Sequence, residues 1–310
     1  MGVAYIYVLA AILPKKIMKL SIIILIFPIF TVGQSTIAGK IINSKSKIAI
    51  PFATVGLMKE NIGTNSSEEG YFKLTSNKLV STDTLIFSCI GFKTLKLPVN
   101  FNEKVEMTYE LTEQISVLNE VVVSNKKKWT STILNDFSSC GNTFISSSGY
   151  QTQLAQHFQV EEENSLLTEI KICRFSIAIL DPEKTIFRIR VYGFDTLTKS
   201  PSKDLCDQII EVKTRSKTIH LNLEKYKINI PNKDFFVAIE WLKIPFNEDK
   251  SKMKVDGKEV DHITYRPSIG WTDNINSKME AWSFDYKNVW RPMWTMKNKT
   301  SVSIAATVKY

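Results

Sequence analysis

The chain has 310 residues, 44% of them apolar and 23% charged, enough to bury more than one core and too apolar for the disordered class. Its net charge of +9 falls to +6 without Lys15, Lys16 and Lys19 near the N-terminus. Spread thinly along the rest of the chain, that excess argues against nucleic acid as a partner.

Leu20–Val32 is a run of thirteen uncharged, mostly apolar residues behind those three lysines, with small residues at Thr31, Gly33 and Ser35. A positive flank, a short apolar core and small residues ahead of a polar stretch describe a secretory signal peptide over residues 1–33, in which Met18 is an internal start that supplies a complete leader. The run is shorter than the ~20 residues a membrane-spanning helix needs, and it contains Pro28. The protein is therefore expected to be exported to the periplasm, the outer-membrane surface or the medium, touching a membrane only through its leader. The alternative is an uncleaved anchor with Val3–Leu13 as a second apolar stretch. No cysteine follows the apolar core, so no lipid-modified N-terminal cysteine is expected.

From Ser35 the chain reads as short strands between turn residues. These are Ile37–Ile42, Phe52–Met58, a turn at Asn61-Ile62-Gly63, a strand opened by Gly70-Tyr71-Phe72, then Asp83–Ile90, Phe92–Val99, Val105–Leu111 and Glu120–Ser124. Short strands at regular spacing, without helical periodicity, predict a β-sandwich. Phe52, Phe72 and Phe87 are expected in its core, Gly70 at positive φ ahead of its strand, and Gly91 where the chain reverses.

Ile37-Ala38-Gly39-Lys40-Ile41, Ile50-Pro51-Phe52-Ala53-Thr54-Val55, Gly63-Thr64 with Gly70-Tyr71-Phe72, and Asp83–Ser88 running into Ile90-Gly91-Phe92 follow one another in an order that resembles the carboxypeptidase-regulatory-like domain. The resemblance covers residues 34–124 and implies a prealbumin-like seven-stranded sandwich with an accessory, non-catalytic role. It also implies the setting in which such domains abound, secreted and outer-membrane proteins of the Bacteroidetes. One departure is Ser67, where the family often carries Asp; a serine can still make the local side-chain-to-backbone bond. Leu118-Asn119-Glu120-Val121-Val122-Val123 is similar to the segment ahead of the plug in TonB-dependent outer-membrane receptors. Fewer residues follow Val123 than such a barrel needs, so a receptor is not expected.

Residues 125–131, polar and rich in lysine, read as a solvated linker. The remainder, 132–310, is again strand-rich. Glu169–Leu180 and Phe235–Leu242 are apolar on both faces, at least in part. Ile186–Phe194 sets Phe187, Ile189 and Val191 against Arg188, Arg190 and Tyr192, and Thr218–Leu223 and Ser301–Tyr310 alternate. The pattern predicts a C-terminal jelly-roll-like sandwich, making the fold class all-β with two β-sandwich domains. The alternative is a small outer-membrane β-barrel with a periplasmic N-terminal domain, closed by the terminal strand at Tyr310. Strands apolar on both faces argue against it, because lumen-facing positions of a barrel are polar.

Four cysteines (Cys89, Cys140, Cys173, Cys206) form no CxxC pair and stand at no metal-ligand spacing from His157, His220 or His262. Cys89 and Cys173 read as small buried apolar side chains, with a Cys173–Cys206 bridge left open. There is no zinc-peptidase motif, no GxSxG and no phosphate loop. No catalytic residue, metal or cofactor is therefore expected, and the chain is not read as an enzyme. His220 is expected to be exposed, Glu161–Glu163 to form a solvated loop, and Glu240, if buried, to pair with Arg188 or Arg190. The remaining alternative, a hydrolase accessory or glycosidase-like enzyme, requires carboxylates converging in one pocket.

Four of the six tryptophans fall between positions 271 and 294. Trp271, Trp282, Tyr286, Trp290 and Trp294 are the candidate ligand-binding residues. Aromatic faces stack on the apolar faces of sugar rings, and Asp273, Asn274, Asp285 or Arg291 stand near enough to meet the hydroxyls. The even spacing of Trp282/Phe284 and Trp290/Trp294 equally fits core packing. The sequence thus reads as a secreted or cell-envelope, non-catalytic binding or scaffold protein. Its partner would be a glycan or an envelope protein, held by the C-terminal domain.

Overall fold

The computed structural model describes residues 35–76, 82–99, 107–114, 129–141, 143–175, 184–272, 280–293 and 300–310, without the side chains of Trp271 and Thr272. The leader, the strand expected at Glu120–Ser124, most of the linker and Trp294 lie outside the described residues.

Seven strands make the first module: β1 (Ser35–Asn43), β2 (Thr54–Leu57), β3 (Ile62–Asn65), β4 (Tyr71–Ser76), β5 (Thr84–Ser88), β6 (Leu95–Pro98) and β7 (Met107–Leu111). They form two sheets, β4-β1-β7 and β3-β2-β5-β6. On β4, Phe72 and Leu74 point inward while Tyr71, Lys73 and Thr75 are exposed, the two-residue alternation of a half-buried strand. Ile41, Val55, Leu57, Phe72, Phe87 and Tyr109 fill the space between the sheets, with the Phe87 and Tyr109 rings 4.3 Å apart. Gly70 and Gly91 take positive φ values of 82° and 81°. Ser67 Oγ accepts from the backbone N–H groups of Glu69 and Tyr71, the turn bond that an aspartate would otherwise make. One element departs from the reading of the sequence. The turn lies earlier, over Met58–Asn61, closed by the Asn61 N–H donating to the Leu57 carbonyl with Asn61 in the left-handed region, so Ile62 and Gly63 belong to the strand Ile62–Asn65 paired to β2.

Sixteen further strands follow among the described residues. They run β8 (Ser131–Leu134), β9 (Phe144–Ser148), β10 (Gln151–Gln159), β11 (Ser165–Phe175), β12 (Thr185–Phe194), β13 (Pro201–Asp204), β14 (Ile210–Thr214) and β15 (Thr218–Asn222). Next come β16 (Ile228–Ile230), β17 (Asp234–Trp241), β18 (Glu248–Val255), β19 (Lys258–Thr272), β20 (Ala281–Asp285), β21 (Trp290–Pro292), β22 (Ser301–Val302) and β23 (Ile304–Lys309). β8 opens at Ser131, inside the expected linker, and Thr130 already exchanges backbone hydrogen bonds with Tyr310.

The strands build two antiparallel sheets. One contains β9-β19-β11-β15 and the other β10-β17-β12-β14. Numbered along the chain, these eight strands alternate between layers as 1-8-3-6 and 2-7-4-5, the connectivity of a jelly roll. β13, β20 and β21 widen the second layer, and β8, β16, β18, β22 and β23 the first. Among the described residues both layers are open sheets, and their pairings close no barrel. Phe187, Ile189 and Val191 of β12 meet Phe235, Val237, Ile239 and Trp241 of β17 and Ile170 and Ile172 of β11 in one core.

Cys173 is not a lone apolar side chain and does not bond Cys206. It forms a disulfide with Cys140, 33 residues away, while Cys206 is a free thiol buried in the core. The bridge ties the segment after β8 to the end of β11, a proximity that sequence spacing does not encode. Reduction, or replacement of both cysteines by serine, is expected to cost about 4 kcal/mol by loop-closure entropy, checked as a lowered urea midpoint under reducing conditions.

Candidate functional site

Alternate residues on β12 and β17 face away from the core of the second module. They are Ile186, Arg188, Arg190, Tyr192 and Phe194 on β12, and Phe236, Ala238 and Glu240 on β17, with Leu242 beyond it. The first module covers one end of this outer face, which is why these strands are apolar on both sides. Phe52, at φ +54°, is turned out of its own sandwich and packs instead against Ile186, Leu242 and Ile244. It is a core residue of the interface, not of the first sandwich.

Four further contacts fix the junction. Arg188, 1% exposed, donates from Nη1 to the Phe52 carbonyl (3.2 Å) and from Nη2 to that of Pro51 (2.9 Å). The Lys243 N–H donates to Asn65 Oδ1 (2.7 Å), and its carbonyl accepts from the Asn65 N–H and from Thr64 Oγ1. Asn61 Nδ2 donates to Asp285 Oδ2 (3.3 Å). Tyr286, in the loop after β20, lies in a bay made by Gly56 and Gly63, which face each other across β2 and β3; a Cβ at either glycine would overlap its ring.

Beside this junction a cleft of about 670 Å³ opens between the modules. The first module supplies the Ser88–Phe92 turn, Thr94 and Gln114. The outer face of the second supplies a floor of Gln153, Arg190, Tyr192 and Glu240. Asp204 and the segment to Asp207 form one wall, and Phe284, Asn288 and Trp290 another.

The floor is organised by Arg190. Its Nε and Nη2 donate to the two oxygens of Asp204 (3.0 and 2.5 Å), and its Nη1 donates to Glu240 Oε2 (3.2 Å). The expected partner of Glu240 is thus Arg190; Arg188 is used at the junction. Burial opposes the Arg190 charge, but the surrounding negative groups more than restore it, so the guanidinium stays ionised. Burial likewise pushes the Asp204 carboxyl upward, with Arg190 pulling it back. The Tyr192 hydroxyl, raised mainly by burial, stays neutral and donates to Gln153 Oε1 (2.7 Å). Trp290, partly exposed, stands edge-on to Tyr192 at 5.5 Å and 4.8 Å from Phe284. Asp285 holds the loop that carries it, accepting from the Lys287 and Val289 N–H groups and pairing with Arg291. Partly exposed rings (Trp290, Phe284 and Phe92), three carboxylates and several amides therefore converge on one space, a set suited to ring stacking combined with hydroxyl hydrogen bonds.

Of the candidates expected from sequence, Trp290 alone among the described side chains lines this cleft. Tyr286 is the wedge of the junction and borders a smaller pocket of about 40 Å³ that shares Gln153, Arg190 and Glu240 with the cleft. Trp282, 6% exposed, packs edge-on against Phe236 within the aromatic cluster on the outer face. Trp271 pairs its backbone with Val302, its side chain being outside the description, as is all of Trp294. His220 is exposed and bonded to Glu169, and Glu161–Glu163 form an exposed turn. Gln153 and Asp204 were not anticipated. Asp204 enters because β13 folds back onto β12, a pairing with no local signal.

The fold and the cleft define a β-sandwich protein of two docked modules. Residues 37–123 match the CarboxypepD_reg-like domain, so the first module is a carboxypeptidase-regulatory-like domain. No curated protein matches the chain. Among solved structures, infectious bursal virus derived T=1 particles align over 89% of this chain and 61% of theirs, at 9% identity and a TM-score of 0.20. The D431N mutant VP2 protein of infectious bursal disease virus aligns with the same figures. The chain thus spans about three fifths of the length of these chains, and likeness at that TM-score bears on neither fold nor function.

Proposed function

We propose that this is an exported, non-catalytic glycan-binding protein of the cell envelope that holds its ligand in the cleft between its modules. The reading is supported above all by Trp290, a partly exposed ring at the wall of a cleft that also presents amides, carboxylates and the cations Arg190, Lys203 and Lys227. Asn288, the Gln153 amide N–H groups and the remaining lone pairs of Asp204 can meet sugar hydroxyls, and the cleft lies within the 300–1,000 Å³ usual for small-ligand sites. The accessory nature of the carboxypeptidase-regulatory-like domain agrees with a role in shaping the site rather than in chemistry. Titration calorimetry of the full chain with soluble oligosaccharides is the test: Trp290→Ala is expected to weaken binding about tenfold. Binding unaffected by this substitution would remove the reading's main support.

A second reading draws on one observation. Asp204, Asp207 and Glu240 line the same cleft, the convergence of carboxylates that a glycosidase needs. Binding is favoured because Asp204 and Glu240 are both held by the same guanidinium, leaving neither free as an acid or nucleophile. Release of reducing ends from the bound oligosaccharide, lost in Asp204→Asn, would establish the hydrolase instead.

A further inference from the structure

The cleft ends at Tyr192 and Trp290, but the arrangement that makes it a site continues along β12. Phe194, the next residue on the outer face, is partly exposed. Its ring stacks on Phe236 (6.1 Å, 13° between planes) and on His157 (5.4 Å). Around it stand Asp234, hydrogen-bonded by His157 Nε2 (2.9 Å), Gln159 (3.5 Å from Asp234) and the exposed Lys199, whose Nζ is 5.7 Å from the ring. A second ring flanked by planar polar groups therefore follows the first on the same strand. From Arg190 to Phe194 the strand advances about 13 Å, room for roughly three sugar rings in a row.

We infer that the ligand is a chain of at least three sugar units running along β12, from the Arg190–Asp204 floor past Trp290 to a second subsite on Phe194. The inference rests on the glycan reading given above and adds its length and direction. Phe236 and His157 back the Phe194 ring on one side, so a sugar would have to approach from the other. Lys199, on an exposed turn with its Nζ 5.7 Å from the ring, donates to a hydroxyl of the sugar seated there.

Calorimetry of the full chain with cello-, xylo-, manno- and malto-oligosaccharides of one to six units tests it. For whichever series binds, affinity is expected to rise about tenfold between the disaccharide and the tetrasaccharide and then to level off. Phe194→Ala should abolish that rise, binding the tetrasaccharide no better than the disaccharide, while leaving disaccharide affinity unchanged. Lys199→Ala, at an exposed position that leaves the fold intact, should reduce the rise and decides the matter if the Phe194 variant does not fold. Affinity independent of length, or a rise that survives these substitutions, overturns the inference and leaves the cleft reading standing. Failure of every series at every length overturns both.

Discussion

Valine at Gly56 is expected to separate the two modules. Gly56 and Gly63 are paired across β2 and β3, and their missing side chains form the bay that receives Tyr286. Tyr286 is 4% exposed, and Lys243 Nζ lies over its ring at 4.8 Å. A valine would occupy the space of the ring, which must then leave its bay and expose an aromatic surface worth about 4 kcal/mol, more than ordinary overpacking costs. The backbone at Gly56 is ordinary β-strand, so valine suits the strand itself and the first sandwich should persist. Small-angle scattering should show an enlarged radius of gyration, and oligosaccharide binding should vanish with the cleft. Tyr286→Ala empties the bay, so the double variant should lose much less than the sum of its parts. Strictly additive losses would mean that the glycine bay is not what docks the modules.

Much of the fold was legible in the sequence because its signals are local. Period-two alternation marked β12 and its inward face, Gly70-Tyr71-Phe72 marked the opening of β4, and Gly91 marked where the chain reverses. The double-sided apolarity of Phe235–Leu242 was read as a strand with two covered faces, and it is covered by the sandwich core on one side and by aromatic rings and the first module on the other. What escaped was whatever depends on distant parts meeting. Phe52 looks like any core phenylalanine until its positive φ turns it toward Ile186. The Cys140–Cys173 bridge and the return of Asp204 onto Arg190 are likewise products of topology. The aromatic cluster was visible in composition but not its division of labour. Trp282 packs, Tyr286 docks and Trp290 lines the cleft: Trp282 on β20 and Trp290 on β21 share one aromatic cluster at different depths, and Tyr286 stands in the turn between the two strands.

Stability is expected to rise with pH above neutrality, and Lys243 is the reason. It is 3% exposed, its Nζ donates to the Gly149 carbonyl, and among the described residues no carboxylate pairs with it. Tyr286 and Tyr265 face it with their rings, at 4.8 and 5.7 Å. Burial brings the amine down from 10.5 to about 7. Below about pH 7 the folded and unfolded chains both carry the proton, and the fold bears the full cost of a buried cation. Between about 7 and 10.5 the unfolded chain binds one proton more, so unfolding becomes harder as pH rises; above that window the difference no longer grows. The gain is on the order of 5 kcal/mol over the window. Burial pushes the Tyr265 and Tyr286 hydroxyls and the Cys89 and Cys206 thiols upward, so none of these titrates ahead of its usual range to mask the slope. Urea midpoints of the full chain, measured in steps from about pH 6 to about pH 10, should climb in the native protein and stay nearly flat in Lys243→Met, which keeps the length of the side chain without the charge. A climb of equal size in the variant would assign the effect to another group. Because the backbone of Lys243 is also clamped by Asn65 and Thr64, a loosening of the junction at low pH should accompany the loss of stability, read as faster proteolysis between the modules.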